Sequence, residues 1–250
     1  MNQEERLIKN WSESSAGYSS NIEKELAGFK REAWTKLILE NTGKDPQQKL
    51  QVLDVGTGPG FFAILMAKAG HAVTAVDCAS AMVDCAIKNA KSQGVEIDFG
   101  VSDAQRLPFE DASFDLILSR NVTWTLLDAK AAYREWKRVL TPDGRILIFD
   151  ANWNIRLHDE KKRAEYERDM AAVKEKYPEY VFHDHTPDME GFRKTLPMCA
   201  VYRPQWDFSA LLDVGFKRIG CDLSISERIY SPMEQLLYRS TPMFLLTAEK

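Results

Sequence analysis

Three glycines at alternate positions, close to two carboxylates, are the residues in this chain best suited to hold a ligand. They are Gly56, Gly58 and Gly60, and they separate a short stretch of strand type from one of helix type. Because glycine tolerates positive φ and has no Cβ, the backbone of such a turn can approach a ligand closely. The helix behind it presents unpaired N–H groups. The pattern predicts a strand, a tight turn and a helix that bind a nucleotide-type ligand.

The spacing of the glycines and the acid before them narrow the class of ligand. A dinucleotide loop needs its third glycine one position later, where this chain has Phe61. Asp54, two residues before the first glycine, would repel a pyrophosphate but not an ammonium or a sulfonium group. The loop therefore favours a nucleoside with a zwitterionic amino-acid tail.

Further candidate ligand residues follow the second and third predicted strands. Asp77 ends the second strand, where a carboxylate can accept both ribose hydroxyls. Asp103 follows the third strand and can reach an adenine amino group, and Ala104 beside it offers a backbone N–H. Met82 could flank the adenine ring, and Cys78 is a small residue for the same pocket. The structural alternatives are a helix cap for Asp77, a turn for Asp103 and ordinary core packing for Met82.

Five segments between residues 52 and 152 resemble, in order, the motifs of the class I S-adenosylmethionine-dependent methyltransferases. The first is Asp-Val-Gly-Thr-Gly-Pro-Gly at 54–60, and Asp77 resembles the ribose-binding acid. The segments 102–109, 114–121 and 136–145 resemble the adenine loop, fourth strand and fifth-strand approach of the small-molecule branch that includes quinone-biosynthesis enzymes. The resemblance implies S-adenosylmethionine as cofactor, with S-adenosylhomocysteine as product. The predicted cofactor residues are Asp54, Gly56, Thr57, Gly58, Pro59, Gly60, Asp77, Cys78, Met82, Asp103, Ala104, Arg120 and Asn121, the last two through their backbones.

Strands and helices that alternate along the chain predict an α/β fold, doubly wound around a mainly parallel sheet. The resemblance implies seven strands in a Rossmann-like arrangement with the last one antiparallel. We expect an N-terminal arm and helix that act as a lid (1–45), a cofactor-binding core (46–152), a helical and loop insert over the substrate (153–205) and a C-terminal part of the sheet (206–250). Residues 1–20 read as a mobile arm. Predicted helix N-caps are Ser80, Asp128, Asp207 and Ser231.

The sequence offers few groups for acid–base catalysis. His183 and His185, in the predicted lid, and Tyr18, on the arm, are the base candidates, although exposed loop histidines and a packing tyrosine are the simpler interpretations. No third ligand lies at useful spacing from the histidine pair, so we expect no metal site. The aromatic residues predicted to line an apolar acceptor pocket are Trp11, Trp124, Trp153 and Tyr202. Related branch members often have histidine after the fourth strand, where this chain has residues 122–125 without one, so the acceptor class stays open.

Composition limits the partners and the compartment. A net charge of −4 argues against a nucleic-acid groove, and no apolar run is long enough to cross a bilayer. The four cysteines form no Cys-x-x-Cys pair, which favours the reducing cytoplasm. The oligomeric state is not determined by the sequence.

The function that the sequence favours is methyl transfer to a small molecule by in-line displacement. One alternative is a protein that binds S-adenosylmethionine or S-adenosylhomocysteine without turnover. The other is an NAD-dependent oxidoreductase, which the glycine spacing and Asp54 disfavour.

Overall fold

A computed structural model describes residues 1–180 and 187–250 of the chain. Within these residues, seven strands form one sheet in the order β3-β2-β1-β4-β5-β7-β6. The strands are β1 (Gln51–Val55), β2 (Ala72–Asp77), β3 (Asp98–Val101), β4 (Phe114–Arg120), β5 (Leu140–Asp150), β6 (Lys217–Asp222) and β7 (Phe244–Glu249). Strands β1 to β5 pair in parallel, whereas β7 is antiparallel to both β5 and β6. The predicted fold class and the inserted antiparallel strand are confirmed.

Helices cover both faces of this sheet. They are α1 (Gln3–Ala27), α2 (Lys30–Asn41), α3 (Phe61–Lys68), α4 (Ser80–Ser92), α5 (Ala129–Val139), α6 (Glu160–Lys176), α7 (Pro187–Arg193), α8 (Gln205–Val214), α9 (Ser226–Ile229) and α10 (Pro232–Leu237). One face of the sheet packs around Trp34 and Phe62, and the other around Tyr133 and Trp136. Among the described residues, none of the helices is both long and apolar enough to span a membrane.

The N-terminal segment differs from the prediction, because residues 3–20 belong to helix α1 and not to an arm. Asn2 starts the helix, since its side chain accepts from the Glu5 N–H at 2.8 Å while the Glu5 carboxylate accepts from the Asn2 N–H at 2.9 Å. The hydroxyls of Ser12 and Ser14 donate to carbonyls one turn back, each at 2.8 Å. A serine-rich segment, of a composition that normally favours turns, is thus part of a helix. Towards the C-terminal end of that helix, the side chain of Ile22 is buried.

Two of the four predicted helix caps are confirmed. The Asp128 side chain accepts from the Ala131 N–H at 2.9 Å, and Ser231 forms a capping box at the start of α10. Ser80 is the first residue of α4 and makes no capping bond, so that prediction is wrong. Asp207 is also no cap: it is the third residue of α8, fully buried, and its carboxylate binds another side chain.

The region after residue 139 also departs from the sequence pattern. Strand β5 begins at Leu140, so the predicted turn at 141–144 lies within the strand, where the register to β4 shifts between Phe114 and Leu116. The insert predicted as irregular over 181–204 contains α7 and a 3₁₀ turn at Pro197–Cys199. His183 and His185 lie outside the described residues. The boundaries of the four predicted segments stay a prediction.

Candidate active site

The glycine turn connects β1 to α3 at the carboxyl edge of the sheet. The N–H groups of Gly56 and Thr57 both donate to the Val76 carbonyl, at 2.8 and 2.9 Å, which binds the turn to the neighbouring strand β2. Gly56 has a φ of +69°, and a Cβ there would lie 2.3 Å from a methyl group of Val122. Gly60 caps α3 in the left-handed conformation, with a φ of +93°. The turn therefore needs glycine for conformation at both positions and for space at the first.

Asp54 lies beneath the turn and holds it to α3. Its carboxylate accepts from the Thr57 hydroxyl at 2.7 Å and from the Ala63 N–H at 3.1 Å. Burial raises the pKa of Asp54 to about 6, against the effect of these two hydrogen bonds. The observed role of Asp54 is to fix the loop, and its direct contact with a ligand stays a prediction.

Asp77 meets the turn from the end of β2. One carboxylate oxygen accepts from the Gly58 N–H at 2.9 Å, and the other accepts from the Ala79 N–H at 3.0 Å. Burial raises the pKa of Asp77 and also raises that of the Cys78 thiol, the latter to about 12. The acid and the glycines lie together, as the ribose assignment requires. A thiol that stays protonated suits the predicted packing role of Cys78.

The predicted adenine residues lie at the end of β3, next to Asp77. The Ser102 N–H donates to the Asp77 carbonyl at 3.0 Å, which places the 102–104 segment beside the acid. The Asp103 carboxylate accepts from the Gln105 N–H at 2.9 Å, so the turn interpretation of Asp103 is realised. The Ala104 carbonyl accepts from an indole N–H at 3.0 Å, and Met82 is buried in α4. Contact of these residues with adenine stays a prediction.

Asn89 of α4 forms hydrogen bonds with both helix α1 and the glycine turn. Asn89 donates to the Pro59 carbonyl at 2.9 Å, and its amide lies 3.2 Å from the Ser19 hydroxyl. At the other side of the turn, Arg120 closes β4 and pairs with Glu25 of α1 at 2.8 Å. Helix α1, of which residues 3–20 were predicted as an arm, therefore contacts the site at two points.

The aromatic residues beyond β4 come together only in part. The Trp11 ring lies 5.7 Å from that of Tyr18 and 6.1 Å from that of Trp124, both edge to face. Trp153 packs instead against Tyr238 at 5.4 Å. Tyr202 is 48 % exposed and bonds the carboxylate of Asp159, so its predicted place in the pocket is not observed.

Tyr18 is the base candidate that lies within the described residues. Burial raises its pKa, although the charges of Arg193 and Arg120 oppose that shift. Desolvation is the largest of these effects, although the residue as a whole is 44 % exposed. A phenol with a raised pKa stays protonated at neutral pH and suits hydrogen-bond donation better than proton abstraction.

A buried charged network, absent from the sequence prediction, lies at the ends of β4 and β5. Arg203 donates to both carboxylate oxygens of Asp207, at 2.7 and 2.8 Å, and to Asp150 at 2.7 Å. Tyr133 donates to Asp207 at 2.5 Å, and Thr123 donates to Asp150 at the same distance. All three charged side chains have 0 % exposure. The signal in the sequence is the spacing of four residues between Arg203 and Asp207.

Comparison with known proteins agrees with this geometry. Residues 53–148 match the family model described as a methyltransferase domain. A ubiquinone biosynthesis O-methyltransferase from Caulobacter sp. is 30 % identical over 132 residues, which cover 52 % of each chain. A demethylmenaquinone methyltransferase from Deinococcus radiodurans is 37 % identical over 102 residues, which cover 40 % of this chain and 42 % of that protein. The matches therefore span about half, or less, of the length of these relatives.

A solved structure extends the likeness to nearly the whole chain. The structure of an S-adenosylmethionine-dependent methyltransferase from Aquifex aeolicus covers 92 % of this chain and 97 % of its own, with a TM-score of 0.58 and 21 % identity. At that identity the likeness concerns the fold. Residues 53–148 are thus similar to a methyltransferase domain, and the chain shares the fold of a solved S-adenosylmethionine-dependent methyltransferase.

Proposed function

We propose that the protein transfers the methyl group of S-adenosylmethionine to a small-molecule acceptor and releases S-adenosylhomocysteine. The observation that carries this proposal is the bond from the Gly58 N–H to the Asp77 carboxylate, which sets a buried acid against the glycine turn. That acid keeps lone pairs for ribose hydroxyls. The third glycine stands one position earlier than a dinucleotide loop requires, with Phe61 in its place, which argues against the NAD-dependent alternative.

The bound cofactor supplies an activated methyl group on a sulfonium. The chain's own residues then need to bind, orient and exclude water, and strong acid–base groups are not required. The Gly56–Gly60 turn and Asp77 would hold the nucleoside. The Trp11, Tyr18 and Trp124 rings offer an apolar wall next to the end of β4, where an acceptor would approach.

The named relatives, the net charge and the cysteines support a class of acceptor and a cellular location. One relative is named for ubiquinone biosynthesis and another for demethylmenaquinone, which supports a small acceptor with a flat ring that packs against the aromatic wall. A net charge of −4 supports a metabolite over a nucleic acid. The four cysteines are free thiols, which supports a cytoplasmic location.

Calorimetry with S-adenosylhomocysteine and with NADH tests the cofactor. We expect S-adenosylhomocysteine to bind and NADH not to bind. Asp77→Ala should weaken S-adenosylhomocysteine binding by about 1.5–3 kcal/mol for each charge-assisted hydrogen bond lost. Asp84→Ala, which removes an exposed acid from the adjoining helix, serves as the matched control and should leave the dissociation constant unchanged. NADH binding without S-adenosylhomocysteine binding would refute the proposal.

Transfer itself requires a second measurement. Radiolabelled S-adenosylmethionine incubated with a panel of phenols, quinols and amines should label at least one compound in a protein-dependent manner. Tight cofactor binding with no labelled product from the panel or from a metabolite extract would favour the alternative of a binding protein without turnover.

A further inference from the structure

Arg193, the last residue of α7, adds a positive charge to the aromatic wall of Trp11, Tyr18 and Trp124. Its guanidinium carbon lies 5.8 Å from the ring centre of Trp124. The Trp124 ring meets that of Trp11 at 6.1 Å, and the Trp11 ring meets that of Tyr18 at 5.7 Å. The guanidinium therefore belongs to the same group of side chains as the three rings at which we propose that the acceptor binds.

Apolar packing fixes the position of Arg193 relative to the Trp124 ring. Phe192 is 5 % exposed and Leu196 is 1 % exposed, and both belong to one buried cluster with Cys199, against which Trp124 packs. The Leu196 N–H donates to the Arg193 carbonyl at 3.1 Å. Because the residues on both sides of Arg193 are buried against the cluster that Trp124 covers, the arginine is held next to the aromatic wall.

The surroundings of Arg193 favour an anion brought by a ligand. The side chain is half-buried, and burial lowers its pKa from the usual range of arginine. The Tyr18 phenol opposes that shift and the charge of Arg156 adds to it. Arg156 itself donates to the Glu190 carboxylate at 2.7 Å. A guanidinium that has lost part of its water and lies near a second cation gains from a charge-assisted hydrogen bond to an anion.

The order of the strands places Arg193 on the side from which an acceptor would reach the methyl group. Strand β1, which carries the glycine turn, lies between β2, which ends at Asp77, and β4. Trp124 lies in the 3₁₀ turn Thr123–Thr125, just beyond the end of β4. A nucleoside held at Asp77 would extend across the glycine turn towards β4, and the acceptor would then meet it beside the aromatic wall.

We propose that Arg193 binds a carboxylate carried by the ring of the acceptor, so that the chain selects aromatic acids over neutral aromatic molecules of the same shape. The inference rests on the proposed function and specifies its substrate class. A planar guanidinium can donate two parallel N–H groups to one carboxylate, while the attached ring packs on the aromatic wall. Arg193 then determines specificity and leaves the chemistry of transfer to the activated methyl group.

Pairs of ligands that differ only in the carboxylate test this assignment by calorimetry, with S-adenosylhomocysteine present at saturation. The pairs are hydroxybenzoates and dihydroxybenzoates with the corresponding benzamides, which keep the ring and the hydroxyl groups. Wild-type protein should bind at least one benzoate about 10- to 100-fold more tightly than its amide, the range for a charge-assisted hydrogen bond. Arg193→Gln should weaken that benzoate by a similar factor and leave the amide within about twofold, so that the preference disappears.

Arg6→Gln is the matched control, because it removes another guanidinium that lies on a ring of the same region. The guanidinium carbon of Arg6 is 4.6 Å from the ring centre of Phe192. This variant should retain a preference of at least about tenfold for the benzoate. If Arg193→Gln does not fold, Arg193→Lys takes its place and should show an intermediate preference, since lysine keeps the charge and loses the planar fork.

The outcomes separate this inference from the proposed function. If no benzoate is preferred over its amide, or if Arg193→Gln weakens both members of a pair by the same factor, the carboxylate assignment is overturned while cofactor binding stands. The assignment is also overturned if Arg6→Gln abolishes the preference, because the general positive charge of the region would then explain it. If wild-type protein does not bind S-adenosylhomocysteine, the proposed function and this inference fall together.

Discussion

Removal of Arg203 should produce the largest loss of stability of any single substitution considered for this chain. The side chain donates to Asp207, Asp150 and Thr123 from a position with 0 % exposure. Arg203→Met keeps an unbranched chain of similar reach but leaves two carboxylates buried without their cation. Breaking a buried ion pair from one side typically costs 3–5 kcal/mol, because an uncompensated charge remains.

The expected effect is large enough for an unambiguous measurement. For a chain of this size each kcal/mol shifts the melting temperature by roughly 2–4 °C, so Arg203→Met should lower it by about 6–20 °C. Urea unfolding followed by circular dichroism would give the free energy of unfolding directly. A second variant, Arg203→Met with Asp150→Asn and Asp207→Asn, should recover part of the loss, because it removes the orphaned charges.

An exposed ion pair provides the control. Lys130 and Asp213 lie 2.6 Å apart with side chains 42 % and 61 % exposed, so Lys130→Met should cost less than about 1 kcal/mol. If Arg203→Met costs no more than Lys130→Met, or if the triple variant is less stable than the single one, the account of this network is refuted.

Further substitutions test the glycine loop and the start of helix α5. Ionisation of Asp54, whose pKa is raised to about 6 in the folded state, costs folding free energy as pH rises from about 4 to 6. Asp54→Asn should therefore gain about 2–3 kcal/mol relative to wild type between pH 4 and pH 7 in urea unfolding, and parallel pH curves would contradict this. Gly56→Ala should destabilise more than Gly58→Ala, because only the former meets a neighbour, and Val122→Ala should relieve part of that difference in melting temperature. Asp128→Ala should cost about 1 kcal/mol through loss of its capping bond, as measured by chemical unfolding, and an unchanged value would argue against the cap.

The structural features that the sequence alone predicted correctly are formed by residues close together in the chain. The glycine turn, the Asp128 cap and the Ser231 capping box depend on residues within a few positions of one another, and each is present in the structure. The family resemblance added the part that local patterns do not contain, namely the antiparallel insertion of β7 between β5 and β6.

The sequence predictions were wrong at residues whose contacts in the structure are distant in sequence. Aspartate is a residue type that often caps helices, which led to the prediction for Asp207. In the structure its buried carboxylate instead accepts hydrogen bonds from Arg203 and Tyr133. The serine-rich residues 12–15 suggest a turn, yet packing of α1 on α4 and the bond between Ser19 and Asn89 favour the helix. Tertiary contacts outweigh propensity at these positions.

The same network connects the core to the aromatic residues at which we propose that the acceptor binds. One oxygen of Asp150 accepts from the Trp124 N–H at 3.0 Å, and the other accepts from the Trp153 indole at 2.9 Å. Arg203, 53 residues away in sequence, fixes that carboxylate. The backbone of Trp124 and the indole of Trp153, two residues predicted to line one pocket, are therefore held by a carboxylate whose own partner no local pattern reveals. Trp124 meets Trp11 while Trp153 packs against Tyr238, so one buried aspartate contacts a residue of each of two aromatic clusters.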